Sequence, residues 1–232
     1  MRNVWIITAA MTVLAVCYTM IIPFLPIYLL ELGVPKADVA LWSGFVFGIT
    51  FLIAGIMAPI WGKIADNKGK KRMALRAGFA IAICYVLIGL VTDQYQLLMG
   101  RALVGFANGF YPAAMTMVSL SVDEKQVGRA LGIFQTGLIL GNVIGPFLGG
   151  AVEIVVGMRP VFYVSGIAVF IATLAVLFFV KEPKLHAKGA DGKEQPAQPT
   201  KSTSLREDFK AVQQQPVLVR LLWIFFFMQC AI

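Results

Sequence analysis

Residues 137–150 read GLILGNVIGPFLGG, and this glycine-rich stretch indicates how closely the helices of the chain pack. Its glycines recur at every fourth position, at Gly137, Gly141, Gly145 and Gly149. On a helix that spacing places them on one face, as a ridge without side chains. In lipid, such a ridge lets two helix backbones approach closely, which is a main route to tight helix packing. Pro146 removes a backbone donor and is expected to bend this helix.

The composition indicates a membrane protein. Of the 232 residues, 59% are hydrophobic and only 14% are charged, and a soluble domain of this size could not bury so much apolar surface. Cys17, Cys84 and Cys230 all lie in apolar runs, so they predict packing positions and not a disulfide or metal framework. His186 lies alone in a polar segment. The sequence therefore predicts no enzyme, no metal site and no bound cofactor.

Six apolar runs are long enough to cross a bilayer, which takes about 20 residues. They cover residues 4–30, 40–61, 73–92, 96–120, 130–151 and 160–180, and a seventh run begins near Pro216. This pattern predicts an all-α membrane protein with a six-helix domain at residues 1–180. Residues 181–215 are polar and predict a flexible cytoplasmic linker, with a short amphipathic helix near residues 205–212. Residues 216–232 are then predicted to start a second membrane domain of a longer protein.

Positive charge is distributed unevenly between the connecting segments. With the N-terminus in the cytoplasm, the outer loops carry only Lys36 and Arg159, and all other loop cations lie inside. Such an excess on the cytoplasmic side sets the orientation of membrane helices. The formal net charge of +8 is therefore a topology signal and does not indicate nucleic-acid binding.

A basic segment after the second run begins at Gly62 and reads GKIADNKGKKR. Gly62 and Gly69 predict a tight turn. Asp66 is a lone acid that could pair with Lys70 or with a neighbouring helix end. A loop that only sets topology would explain the lysines, including Lys71, but not an acid between two glycines. We therefore interpret the segment as a conformational latch on the inner side.

Apart from Arg76, which lies near the start of the third run, Arg101 is the only cation within a complete apolar run. An ionisable residue inside a membrane helix is a functional hypothesis by default. Gly105 and Asn108 follow at positions i+4 and i+7, on the same helix face. The alternative is that Arg101 snorkels along its flexible stem to the outer surface. We favour a functional role, because snorkelling does not require glycine and asparagine on that face.

A weak internal repeat relates the ends of the second and fifth runs. In each, a glycine is followed four residues later by an acid and then by a glycine and a cation: Gly62, Asp66, Gly69 and Lys70, and Gly149, Glu153, Gly157 and Arg159. The first set falls inside and the second outside. Two inverted three-helix repeats would produce this arrangement.

Four ordered motifs together resemble the major facilitator superfamily of transporters. They are the PxxP of Pro23 and Pro26, the segment that begins at Gly62, the RxxxG of Arg101 and Gly105, and the GxxxGPxxGG of Gly141, Gly145, Pro146, Gly149 and Gly150. The last motif is similar to the antiporter motif of drug exporters. Over residues 4–180 the sequence is most similar to the twelve-helix drug:proton antiporters, and among those to the MdtG-like efflux proteins. Asn67 departs from the arginine that is usual at its position.

The resemblance implies export of varied amphipathic drugs from the cytoplasm in exchange for protons, across the plasma membrane. The chain would be the N-terminal half of the transporter, with its own C-terminal six-helix half as partner and the proton as coupling ion. Gating and coupling would involve the motif residues: Gly62, Asp66, Gly69, Lys70, Lys71, Arg101, Gly105, Gly141, Gly145, Pro146, Gly149 and Gly150. The glycine ridge would then face a helix of the C-terminal half.

Soft, aromatic and polar residues inside the runs predict a substrate cavity. Large adaptable side chains suit a pocket that repacks around different ligands, and polar groups in lipid need a partner or a water-filled space. The predicted lining residues are Met20, Phe24, Tyr28, Asn108, Tyr111, Met115, Gln135 and Asn142.

No complete run has an acidic residue near its centre. The proton carrier is therefore expected in the C-terminal half, or at Asp66 or Glu153. Two other functions stay open. One is a major facilitator importer of a small solute, against which the motif at Gly145 and Pro146 argues because it is typical of exporters. The other is a non-transporting membrane scaffold or receptor, in which Asp66 and Arg101 would have no purpose.

Overall fold

The computed structural model describes residues 1–180, 186–188 and 194–196, and the first of these segments is a bundle of α-helices. Six helical segments in the described part are long and apolar enough to cross a membrane. We call them the first to sixth spans: Arg2–Glu31, Val39–Lys68, Lys70–Gly89, Gln94–Leu120, Glu124–Val155 and Met158–Phe179. Each overlaps one of the six predicted runs, which confirms the all-α six-span architecture.

The spans are built from eight α-helices and two short 3-10 helices. The α-helices are α1 Arg2–Ile21, α2 Leu25–Glu31, α3 Val39–Lys68, α4 Lys70–Gly89, α5 Gln94–Ala107, α6 Phe110–Leu120, α7 Val127–Val156 and α8 Met158–Phe179, and the 3-10 helices are Ile22–Phe24 and Glu124–Gln126. Pro23 and Pro26 account for the interruption of the first span, since each lacks a backbone donor. The fourth span is also interrupted, at Asn108 and Gly109, where the apolar run predicted an unbroken helix.

Single glycines connect two pairs of spans. Gly69, with φ +95°, separates the second span from the third, and Gly157, with φ +81°, separates the fifth from the sixth. Positive φ favours glycine because it has no Cβ. The predicted turn is thus formed by Gly69 alone. Gly62 lies within α3, with open space beside it, because the helix continues through the polar residues that follow the apolar run.

The packing pattern has the symmetry that inverted repeats require. The first span packs against the fifth and the sixth, the fourth packs against the second and the third, and the third packs against the sixth. Exchanging the first three spans with the last three, in order, turns the contacts of the first span into those of the fourth and leaves the pairing of the third and sixth spans unchanged. The equivalent glycine links at Gly69 and Gly157 fit the same exchange.

Burial is unequal among the spans. Only 17% of the most apolar stretch is buried in the second and fifth spans, against 44–56% in the other four. The fifth span exposes large apolar side chains along its length, including Ile139 (60%), Val143 (56%) and Phe147 (76%). The second span also exposes large apolar side chains, and Phe45, for example, is 59% exposed. The described bundle therefore leaves two long apolar helix faces uncovered.

The rest of the chain, from His186 onward, forms a separate unit. Its described part consists of two short strands, β1 His186–Lys188 and β2 Glu194–Pro196, which pair antiparallel. This pairing was not predicted for the linker. The predicted amphipathic helix at residues 205–212 and the predicted seventh membrane helix at residues 216–232 lie outside the described residues.

Candidate transport site

The glycine ridge lies against α1. A Cβ atom at Gly141 would lie 2.7 Å from the carbonyl oxygen of Thr12, and a Cβ atom at Gly145 would lie 2.7 Å from the carbonyl oxygen of Val16. At Gly149 the added atom would collide with the carbonyl of Met20. The obstacles are backbone atoms, which cannot rotate away. The ridge is therefore a contact between two helix backbones, of the kind that small residues permit in membranes.

The predicted partner of the ridge was wrong: it is the first span of the same half and not a helix of the C-terminal half. The glycine spacing shows that a ridge exists but not which helix faces it. A signal for the partner was present, because α1 carries its own stripe of small residues at matching intervals. These residues are Thr8, Thr12, Ala15 and Thr19. The Thr19 hydroxyl also donates to the carbonyl of Gly141 at 3.3 Å.

Other residues of the fifth-span motif take different positions. Pro146 lies inside α7 without ending the helix. A Cβ at Gly150 would lie 3.2 Å from the ring of Phe24, so this glycine packs against the interrupted part of the first span.

Arg101 is buried in the fourth span. Only 2% of its surface is exposed, so it does not snorkel to the outer surface. Its Nε and Nη2 atoms are enclosed and have no hydrogen-bond partner in the described part of the chain. Tyr18 and Tyr85 lie near its guanidinium group. A buried guanidinium without an anionic partner is costly, and stability alone does not explain its presence.

Gly105 brings the fourth span close to the second. A Cβ atom at this position would lie 2.5 Å from the carbonyl oxygen of Thr50. The Thr50 hydroxyl donates to the carbonyl of Arg101 at 3.3 Å. The spacing RxxxG thus places a buried cation one helical turn from a close backbone contact.

A half-open cavity of about 370 Å³, which we call the central cavity, is lined by side chains from all six spans. Its wall combines aromatic, aliphatic and a few polar side chains: Met11, Leu14, Ala15, Tyr18, Thr50, Phe51, Ile81, Tyr85, Val104, Asn108, Phe110, Tyr111, Leu138, Asn142 and Val169. Asn108, Tyr111 and Asn142 are three of the predicted lining residues. A fourth, Gln135, donates to the Tyr111 hydroxyl at 2.9 Å and so orients a wall residue.

The structure places the other predicted lining residues away from this cavity. Tyr28 is fully buried, and its hydroxyl donates to the carbonyl of Ile88 at 3.1 Å. Met20 is 4% exposed and packs in the core. Phe24 and Met115 are partly buried and pack against that core. Their apolar character is satisfied by helix packing, which sequence alone does not distinguish from a cavity wall.

Tyr18 and Tyr85 line the cavity but were not predicted to do so. They are polar residues inside apolar runs, which was the available signal. Both also lie near the buried guanidinium of Arg101.

A second, inner cavity of about 520 Å³ adjoins the latch segment. Gly62, Asp66 and Lys70 contribute to its wall, and the last two residues form an ion pair. The inner and central cavities share three wall residues, Phe51, Asn108 and Tyr111. Lys71 instead donates to the carbonyl of Leu177 at 2.8 Å, at the end of the sixth span. The latch residues are thus tied to two neighbouring helix ends.

Six apolar spans in two inverted repeats, with two adjacent cavities, define the class as a multi-pass membrane protein with a transporter fold. A family model described as Major Facilitator Superfamily matches residues 5–232. The chain belongs to this superfamily. Membership of this superfamily of transporters indicates a transporter and not an enzyme.

Curated relatives indicate which members of the superfamily the chain is similar to. The chain is 41% identical to "Multidrug resistance protein MdtG" of Proteus mirabilis over 182 residues, which is 78% of this chain and 45% of that protein. It is 38% identical to the protein of the same name from Dickeya zeae over the same shares. The chain thus spans less than half the length of these relatives.

Solved structures agree on the fold. The human organic anion transporter MFSD10 (TETRAN) superposes with a TM-score of 0.71 over 89% of this chain and 51% of that chain, at 17% identity. A bacterial homologue of the human lysosomal transporter Spinster superposes with a TM-score of 0.70 over 92% of this chain and 49% of that chain, at 18% identity. At such identities the likeness concerns the fold alone.

Proposed function

We propose that the chain is the N-terminal half of a secondary transporter that exports varied amphipathic drugs from the cytoplasm in exchange for protons. The observation that carries this proposal is the central cavity, whose wall joins aromatic rings to a few polar groups. Such a wall suits ligands of differing shape, because apolar contact gives affinity and few polar groups fix orientation. The similarity to proteins named for multidrug resistance supports the same substrate class.

The proposed partner of this half is a C-terminal six-helix half. The second and fifth spans support it, since their apolar faces are largely uncovered within the bundle. Contiguous apolar surface of that extent marks a contact with another helical domain or with lipid. In this fold the substrate site lies between two halves, so one half offers only one wall.

The proposed coupling ion is the proton. Among the described residues the buried charged and polar positions are Thr8, Thr50, Arg101, Ser165 and Thr173, with no carboxylate. Asp66 and Glu153 lie at span ends. The carrier is therefore proposed in the C-terminal half or at one of these two acids, with Arg101 supplying a fixed positive charge beside the cavity.

Drug accumulation in cells that express the full-length protein tests the proposed function. We expect lower accumulation of a fluorescent drug than in cells without the protein, and a return to the higher level when an uncoupler removes the proton gradient. Increased accumulation would instead support a solute importer. Drug binding without any flux would support the scaffold alternative.

The N-terminus and residues 181–215 are proposed to be cytoplasmic, because loop cations collect on that side. In a chain without its native cysteines, we expect an impermeant maleimide added to intact cells to label a cysteine at Lys36. A cysteine at Lys68 should react only after the membrane is opened. Both side chains are exposed in the structure, so the two sites differ in side and not in burial. The reverse pattern would contradict this orientation.

Asp66→Asn is expected to reduce transport several-fold without reducing the amount of protein in the membrane. The change removes the ion pair with Lys70. Asp66 is 58% exposed, so the pair contributes well under about 1 kcal/mol to stability. Its loss should therefore affect the latch and not the fold. The efflux rate per unit of membrane protein and the drug affinity are both measured, and only the efflux rate should fall.

The matched control is Asp123→Asn, which removes an exposed inner acid outside any ion pair of the described residues. It should transport like the wild type. Equal loss of drug affinity and efflux in Asp66→Asn would contradict a latch role.

A further inference from the structure

The fourth span is broken in the middle of the bundle. Helix α5 ends at Ala107, and α6 begins at Phe110. Between them Asn108 is extended, with φ −56° and ψ 157°, and Gly109 has φ +136°, which favours glycine. A helix end leaves its last carbonyl groups without helical donors. In a membrane these groups must find partners within the protein.

Two side chains from neighbouring spans supply those donors. The indole Nε1 of Trp61 donates to the carbonyl of Phe106 at 2.8 Å. The Nη2 of Arg76 donates to the carbonyl of Ala107 at 3.2 Å and to that of Asn108 at 3.4 Å. We call Trp61 and Arg76 the clamp.

The two clamp residues also contact each other. The guanidinium carbon of Arg76 lies 3.5 Å from the centroid of the Trp61 ring, within the range of a cation–π interaction. The same indole ring meets Phe106 edge-on, at 5.3 Å between centroids. Because Trp61 belongs to the second span and Arg76 to the third, the clamp fixes the break from two sides.

The charge of Arg76 matches the end that it caps. A helix C-terminus carries partial negative charge and favours a cation. Among the described residues the single ion pair joins Lys70 to Asp66, so Arg76 uses its donors on carbonyl groups and not on a carboxylate. Its Nε is enclosed without a hydrogen-bond partner there. A side chain needed only to fill space would not carry this charge.

The break lies where the two cavities meet. Asn108 and Tyr111 line both of them, and Gly109 lines the inner one. The Asn108 side-chain oxygen accepts from the backbone of Gly109 at 2.8 Å. The backbone conformation at the break thus decides where Asn108 and Tyr111 stand in the shared wall.

We propose that Trp61 and Arg76 are positioning residues for transport: they hold the break of the fourth span and thereby fix Asn108 and Tyr111 in the wall between the cavities. Trp61 directly precedes Gly62, so the clamp also connects that wall to the latch segment. The inference rests on the proposed export function for what the wall binds, but the geometry of the clamp can be tested without it.

Spin labels on either side of the break report its geometry. In the full chain in nanodiscs, with native cysteines replaced, labels at Met99 and Ser119 would be about 30 Å apart along a helical axis. The wild type should give one narrow distance distribution. Trp61→Phe keeps an aromatic ring and removes the indole donor, and Arg76→Lys keeps the charge and removes the planar fork. Both should broaden or shift the distribution.

Matched controls separate the clamp from general effects. Trp5→Phe changes an exposed tryptophan of the first span, and Arg129→Lys changes an exposed arginine of the fifth. Both should match the wild-type distribution. An unchanged narrow distribution in Trp61→Phe and Arg76→Lys would overturn the proposal.

Transport of ethidium by the full-length protein supplies the second readout. We expect Trp61→Phe to raise the half-saturating ethidium concentration several-fold at unchanged membrane abundance, and Trp5→Phe to leave it unchanged. A changed distance distribution with unchanged half-saturation would also overturn the proposal, since the clamp would then serve structure only. If the wild type exports no ethidium, the export function fails for this probe, and the distances still decide whether the clamp holds the break.

Discussion

Gly145→Leu is expected to remove most of the folded protein from the membrane. A Cβ at this position already meets the carbonyl oxygen of Val16 at 2.7 Å and the backbone nitrogen of Met20 at 3.1 Å. A leucine adds three more carbons where two backbones touch, and overpacking of this kind typically costs about 1–3 kcal/mol or more. The first and fifth spans would have to separate. Membrane abundance and melting temperature of the purified protein measure the effect.

Gly145→Ala should show an intermediate loss, because its single methyl meets the same backbone atoms. Gly132→Leu is the matched control, since it lies on the same helix and a Cβ there has no neighbour within 4 Å. It should leave abundance and melting temperature near those of the wild type. If Gly145→Leu were as stable as Gly132→Leu, the contact between ridge and first span would be wrong.

The number of spans and their inverted symmetry could be predicted because each depends on a local signal. An apolar run must cross the bilayer, and its length is readable directly. The glycines at positions 69 and 157 could be recognised as equivalent, because the same order of glycine, acid and cation surrounds both. These features require no knowledge of which helices touch.

The partner of the ridge and the cavity wall could not be predicted so well, because both depend on contacts between distant segments. The ridge needed a facing stripe of small residues, and α1 carries one, but the stripe alone does not say which helix it faces. Tyr28 and Tyr111 look alike in sequence. One donates to a carbonyl in the core, whereas the other lines two cavities.

The break of the fourth span was missed although a local signal existed. Asn-Gly is typical of turns, and it stands at positions 108 and 109. The apolar run on both sides argued for an unbroken helix. The apolar run correctly predicted a membrane span. The helix can nevertheless be interrupted within that span, because Trp61 and Arg76 donate to the carbonyl groups that the break leaves free.

Arg101→Met is expected to abolish most transport while leaving the protein as stable as the wild type or more stable. The guanidinium is 2% exposed and has two enclosed nitrogens without a partner in the described part of the chain. Placing an unpaired arginine within the apolar part of a membrane helix is costly. Methionine has a similar length and no charge, so it removes that cost and keeps most of the packing. Melting temperature should therefore stay the same or rise by a few degrees.

The opposite signs of the two effects identify the role of Arg101. Removing a charge that is kept for structure lowers stability. Removing a charge that is kept for function typically lowers activity and raises stability. Arg129→Met, at an exposed position, should change neither quantity. A parallel fall of melting temperature and efflux in Arg101→Met would mean that the fold needs the guanidinium. Unchanged efflux would mean that the positive charge beside Tyr18 and Tyr85 is not needed for transport, and the proposed coupling would then have to be located elsewhere in the full-length protein.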